Sequence, residues 1–272
     1  MQLSNLARLV FINLIMGSLV TVEPVFAETE YRFEQMWPKL EQPWYFSSPQ
    51  DVAVSNDGLI YVADTYNYRI QVYTKDGFFL KTWGKEGTQI GAFHLPHGIA
   101  VSPDSKIVYV ADTKNHRIQA FTQDGQFLRL IGKQSFSGSS KTGEFNWPKG
   151  VDVGDDGRVY VADTNNHRIQ VFSAQGEFLL SWGKEGDANG EFNKPTDISI
   201  SRSGEVYVAD SVNSRVQVFN LEGQFLRGWD NNIPANFDEK VGISVSNDDL
   251  VYVTNPWVTL TPIQIYTEQG IY

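Results

Sequence analysis

Along most of the chain, hydrophobic and polar residues alternate in short runs broken by Gly, Pro, Asn and Asp. Period-two runs with such punctuation predict β-strands, and no stretch after residue 27 carries helical periodicity of useful length. The runs also repeat. Ile60-Tyr-Val-Ala-Asp64 recurs as Val108-Tyr-Val-Ala-Asp112, Val159-Tyr-Val-Ala-Asp163 and Val206-Tyr-Val-Ala-Asp210. Five residues past each Asp an Arg opens a second β-rich run: Arg69-Ile-Gln-Val-Tyr73, Arg117-Ile-Gln-Ala-Phe121, Arg168-Ile-Gln-Val-Phe172 and Arg215-Val-Gln-Val-Phe219. An altered fifth copy reads Val251-Tyr-Val-Thr-Asn255 and Ile263-Gln-Ile-Tyr266. Successive Asp-equivalent positions lie 48, 51, 47 and 45 residues apart. A period of that length, built from short β runs, marks the blades of a propeller.

Each period predicts four strands. Pro49, Pro96, Pro148 and Pro195 lead into a first apolar strand. Turns such as Asn56-Asp-Gly58 and Asp155-Asp-Gly157 supply the positive φ of a tight hairpin before the Tyr-Val-Ala-Asp strand. The Arg-led strand follows, then a second Gly turn and a fourth strand ending at Trp83, Ile131, Trp182 or Trp229. Tyr31-Arg-Phe-Glu-Gln-Met-Trp37 matches only the fourth-strand pattern, and the chain ends where a fifth copy would begin its own. The count fits an all-β propeller of five four-stranded antiparallel blades, closed by this N-terminal strand so that no sheet edge is left open. The alternative is a six-bladed type with one blade missing.

Val161-Ala-Asp-Thr-Asn-Asn-His-Arg-Ile-Gln-Val-Phe172, with Pro148-Lys-Gly before it and Phe178-Leu-Leu-Ser-Trp-Gly183 after it, resembles an NHL repeat. The resemblance covers about residues 31–272, is specific in the first four copies, and points to the secreted bacterial or archaeal members. It implies a propeller, usually six-bladed, and most often a binding module: a reader of RNA or protein in animal regulators, an extracytoplasmic sensor in bacteria. A related branch includes an amidating lyase with a zinc site, and similar propellers are calcium-dependent lactonases.

The pairs Asp64/Arg69, Asp112/Arg117, Asp163/Arg168 and Asp210/Arg215 stand opposite one another across a four-residue loop, and the expectation is that they support the hairpin. Asn67, Asn115, Asn166 and Asn213 suit that loop, since Asn bonds local backbone and tolerates the left-handed region. Blade five has Asn255 and Pro262 at the Asp and Arg positions, which predicts a more mobile hairpin.

The four His residues are the only zinc candidates. His116 and His167 fall at one position in neighbouring blades, too far apart to share an ion at bonds near 2 Å. Only His97 lies near the channel, so a three-His lyase centre cannot form. A lactonase-type calcium site needs converging oxygen ligands. Asp51, Asp152 and Asp197 sit on inner strands, but no matching Glu or Asn accompanies them, and Asp187-Ala-Asn-Gly-Glu191 is only half of a calcium loop. No Ser has a nucleophile-elbow context. Trp44, Trp147 and Trp257 fall outside the repeat and are candidates for exposed anchors or for burial under loops.

Met1 to Ala27 read as a secretory signal: Arg8, an apolar run of 14 residues from Leu9 to Val22, and Val25-Phe-Ala27 at the cleavage point. That run is shorter than a bilayer span, and an uncleaved anchor is the alternative. The expected division is thus a signal at 1–27 and a propeller at 28–272. The 272 residues contain no Cys, which excludes disulfides and Cys-ligated zinc, and carry a net charge of −10. That charge opposes a phosphate-binding surface.

These features favour an exported, secreted or periplasmic scaffold without catalytic residues, binding a protein, peptide or polysaccharide on one face near the channel. Gln50, His97, Lys149 and Thr196, which differ from blade to blade at the channel entry, are the expected ligand surface. No cofactor is required, calcium being the one conceivable. A metal-dependent hydrolase or lyase acting in the channel is the alternative, and whether the chain is an enzyme stays open at this point.

Overall fold

A computed structural model describes residues 45–133, 138–230, 241–254 and 263–271. The signal at 1–27, the expected closing strand at 31–37, Trp44, Trp257 and the Asn255/Pro262 pair lie outside the described residues. No described helix is long and apolar enough to cross a membrane.

The repeats form five antiparallel blades in a ring, a β-propeller. Blade 1 holds β1 (Asp51–Val54), β2 (Ile60–Asp64), β3 (Arg69–Tyr73) and β4 (Phe79–Trp83). Blade 2 holds β5 (Pro96–Val101), β6 (Ile107–Asp112), β7 (Arg117–Thr122) and β8 (Phe127–Ile131). Blade 3 holds β9 (Pro148–Val153), β10 (Val159–Asp163), β11 (Arg168–Phe172) and β12 (Phe178–Trp182). Blade 4 holds β13 (Pro195–Ile200), β14 (Glu205–Asp210), β15 (Arg215–Asn220) and β16 (Phe225–Asp230). Blade 5 shows β17 (Ile243–Val245), β18 (Val251–Thr254) and β19 (Ile263–Tyr266) among the described residues. Strands follow one another outward in chain order, and the first strands of all five blades line one central channel of about 710 Å³.

Packing between blades buries the side chains that recur in register. Tyr61, Ala63, Ile70 and Val72 of blade 1 meet Ile99, Val108, Val110 and Phe121 of blade 2, and the same interlock joins later blades. Each outer-strand Trp lies over a turn of the next blade. A Cβ on Gly125 would come within 2.5 Å of Trp83, and one on Gly223 within 2.5 Å of Trp182, so these turns need Gly for space as well as for φ.

The Asp of each Tyr-Val-Ala-Asp strand does more than face an Arg across the hairpin. Asp112 is fully buried; its carboxylate accepts from Arg117 Nε (2.7 Å), Asn115 Nδ2 (2.9 Å), Gln119 Nε2 (3.1 Å) and the His94 backbone amide (2.6 Å). Asp64, Asp163 and Asp210 repeat this set through Ser47, Asn146 and Asn193. The Arg and Gln then reach into the loop that enters the blade: Arg117 donates to the carbonyls of Thr88, Gln89 and Ala92, and Gln119 joins it at Ala92. Asn115 also donates to Gly87 O and is not the left-handed residue of its loop. That place falls to the next position, occupied by Tyr68, His116, His167 or Ser214, at φ of 53–54°. The loop itself is a single 3₁₀ turn, as at Thr113–Asn115.

Removing one partner from such a buried set strands the others. Asp163→Ala leaves Arg168, Gln170 and the Asn146 amide without their acceptor, a loss of about 3–5 kcal/mol. Asp104→Ala breaks an exposed pair with Lys106 at 3.3 Å and two turn hydrogen bonds, from the Ser102 hydroxyl (2.6 Å) and the Lys106 amide (3.1 Å), together worth about 1–2 kcal/mol. Urea unfolding of the two variants checks this; equal losses contradict the hub.

Candidate functional site

The first strand of every blade presents an edge to the channel, and its amides need acceptors. Aspartates supply three pairs. Asp51 accepts from its own strand at Val52 (2.7 Å) and from Ile99 of blade 2 (2.8 Å). Asp152 of blade 3 accepts from Val153 and from Ile200 of blade 4, both at 2.8 Å. Asp197 of blade 4 accepts from Ile198 (2.9 Å) and from Ile243 of blade 5 (2.8 Å). Ser199, two residues further along, does the same for Val245 (3.1 Å). Each of these groups ties one inner strand to the next.

Blade 2 has Gly98 at the Asp51 position. A Cβ there would stand 2.2 Å from the Lys149 carbonyl oxygen, so blades 2 and 3 meet backbone to backbone.

Enclosure sets the electrostatics. Burial pushes the Asp51 carboxyl up to about 7 and Asp152 to about 6, although both accept two amide hydrogen bonds that pull the other way. Asp197 is held well above the carboxylate range by burial and by the charge of Asp51.

The four sequence-predicted entry residues divide two and two. Gln50 and His97 line a cavity of about 290 Å³ at the channel mouth, together with Asp51, Asp197, Tyr252 and Thr254. Lys149 and Thr196 are buried, and the Thr196 hydroxyl donates to Val241 O at 2.8 Å. His116 and His167 serve the fold: their Nδ1 atoms accept from the amides of Trp147 (3.1 Å) and Lys194 (3.3 Å). Burial lowers the His116 pKa. Trp147 is half-buried with its ring against His116. In the half-loop at 187–191, Arg215 holds the carbonyls of Ala188 (2.9 Å) and Glu191 (2.8 Å).

A channel metal does not fit these residues. No three His, Asp or Glu side chains gather to hold an ion among the described residues, and every channel Asp has both oxygens turned to backbone amides. The pairing of aspartates with amides across the blades was not readable from the chain. Asp51 and Asp197 share one repeat position, but Asp152 sits two residues later and only the strand register reveals its equivalent role.

The fold places the chain among the β-propellers. It belongs to the family described as the SMP-30/Gluconolactonase/LRE-like region, matched over residues 14–183. A family described as a 6-bladed beta-propeller matches residues 144–261. The NHL resemblance is shared with Protein brain tumor of Drosophila melanogaster, 48% identical over 44 residues, 16% of this chain and 4% of that protein. The chain therefore spans a small fraction of that relative's length. Among solved structures, the nidogen/laminin complex superposes with a TM-score of 0.62 at 16% identity, over 80% of this chain and 75% of that one. A catalytically inactive virginiamycin B lyase from Staphylococcus aureus with quinupristin gives 0.58 at 16%, over 84% and 73%. Likeness at this identity establishes the fold alone.

Raised carboxyl pKa values in the folded state mean that the stability these groups contribute is fully present below about 4 and is lost as pH rises through about 7. Asp51→Asn removes one of these ionisations. The variant's Tm relative to wild type is expected to be several degrees more favourable at about pH 8 than at about pH 4. A pH-independent difference contradicts the assignment.

Proposed function

We propose that the chain is a non-catalytic binding propeller whose ligand, a protein, peptide or polysaccharide, docks on the face carrying the channel mouth. One observation carries the reading. The repeated Arg and Gln side chains hold loops to blades, and Gln50 and His97, which differ from blade to blade, line the mouth cavity with Asp51 and Asp197. The apolar run at 9–22 supports export to a periplasmic or extracellular site, and the net charge of −10 speaks against nucleic acid.

Membership of the SMP-30/Gluconolactonase family favours a second reading, a metal-dependent hydrolase or lyase. Screening the purified chain on glycan and peptide arrays, alongside lactone hydrolysis with and without calcium, separates the two. On the binding reading His97→Ala and Gln50→Ala each weaken the captured ligand about fivefold or more while leaving Tm unchanged. Unchanged affinity in both variants, or calcium-dependent turnover of a lactone, overturns it.

A further inference from the structure

Blade 4 holds a carboxylate in a clamp of three side chains. The Glu205 carboxylate accepts from Arg227 Nη1 (2.8 Å), Arg227 Nη2 (2.5 Å) and the Tyr207 hydroxyl (2.8 Å), which in turn accepts from Arg227 Nη2 (3.0 Å). Register brings the donors together. Tyr207 faces Val218 on β15, and Val218 faces Arg227 on β16, so the three side chains form one row on the same side of the blade.

Blade 2 repeats the donors of this clamp and lacks its acceptor. Tyr109 faces Ala120, and Ala120 faces Arg129, in the same register. Burial raises the Tyr109 hydroxyl above its ordinary pKa and the charge of Arg129 draws it back, so the two groups act on one another. Ile107 stands where Glu205 stands in blade 4. An acid can also come from the turn of the following blade, as Asp124 does for Lys81 and Glu222 for Arg158 (4.0 Å). The turn of blade 3 that lies against the outer strand of blade 2 carries Gln175 at that place. Among the described residues Arg129 forms no hydrogen bond or ion pair, and its Nη1 is buried without a partner. A buried donor left in this way costs free energy that an acceptor restores.

We propose that Arg129 and Tyr109 bind a small free carboxylate of about the size of acetate, in the arrangement by which Arg227 and Tyr207 hold Glu205. Donor chemistry selects the occupant. Two guanidinium N–H groups and one phenolic O–H match the two oxygens of a carboxylate, and blade 4 makes that match with its own side chain. A phosphate dianion would bring a further oxygen and a second charge that these donors do not meet, on a chain already at −10. The site lies on the outermost strand of blade 2, whereas the channel is lined by innermost strands, so it goes beyond the docking proposed above.

Titration of the full chain with acetate, followed by saturation-transfer NMR, tests the site against acetamide, a neutral molecule of the same shape. Acetate is expected to bind at least about tenfold more tightly than acetamide. Arg129→Gln is expected to weaken acetate about tenfold or more, and Tyr109→Phe about threefold. Arg202→Gln, at an exposed arginine of blade 4, is expected to leave it unchanged. Ile107→Glu supplies the acid from within the blade, as Glu205 does. It is expected to abolish acetate binding and to raise Tm at pH 7, and the gain in Tm disappears when Arg129→Gln is added. Should that Glu keep the chain from folding, Gln175→Glu delivers an acid from the turn of blade 3, as Asp124 does for Lys81, and is expected to weaken acetate at least about fivefold. Equal binding of acetate and acetamide overturns the proposal. So does tighter binding of inorganic phosphate than of acetate, acetate binding that neither Arg129→Gln nor an introduced acid reduces, or no acetate binding at all.

Discussion

A buried carboxylate at the end of the second strand is what the propeller depends on. Each Asp64-type residue lies at zero exposure and gathers an Arg, a Gln, an Asn and a backbone amide from the incoming loop. A lone charge there would be costly, and burial does raise Asp112, Asp163 and Asp210 above the ordinary carboxylate range. The cost is met because every acceptor site is used and the Arg carries the compensating charge. In return the loop that links one blade to the next is fixed to the blade it enters. The spacing between neighbouring blades, and with it the apolar interlock, follows from that attachment.

The same constraint explains which parts of the molecule were legible in the chain. Strand number, strand limits and the Asp–Arg pairs of blades 1–4 follow from a repeat whose every copy obeys period two. The role of Asn115 was misplaced by one residue: its side chain bonds the Asp and the incoming loop, while His116 takes the left-handed turn. Burial of Lys149 and Thr196 was not legible, because a bulge at the start of the inner strand shifts side chains between channel and interior, as the register between Pro195 and Asp197 shows. The channel aspartates looked like incomplete metal ligands. Their actual partners are amides 46–48 residues away, contacts that no local pattern encodes.

The proposed ligand face lies where the repeat breaks. In blades 1–4 the recurrent Asp, Arg, Gln and Asn side chains are committed to structure. Gly98 and Gly242 both stand at the staple position, but only in blade 1 does the residue after it, Val52, lie exposed, where its counterparts in the other blades are covered. An array of identical blades has no distinguished direction for a ligand. On the proposed docking, the departures at Gln50 and His97 provide one.

Hydrogen exchange measured residue by residue tests the central claim most directly, because it reads how firmly each blade is held. If buried Asp hubs hold the blades, the amides of Val108–Asp112 and Val159–Asp163 exchange only through global unfolding, and those of Val251–Thr254 exchange through smaller openings of blade 5. In an Asp163→Ala protein the loss of protection would begin in blade 3 and its entering loop around Glu144 and Asn146. Uniform protection across all five blades, unaltered in pattern by that substitution, would contradict the account.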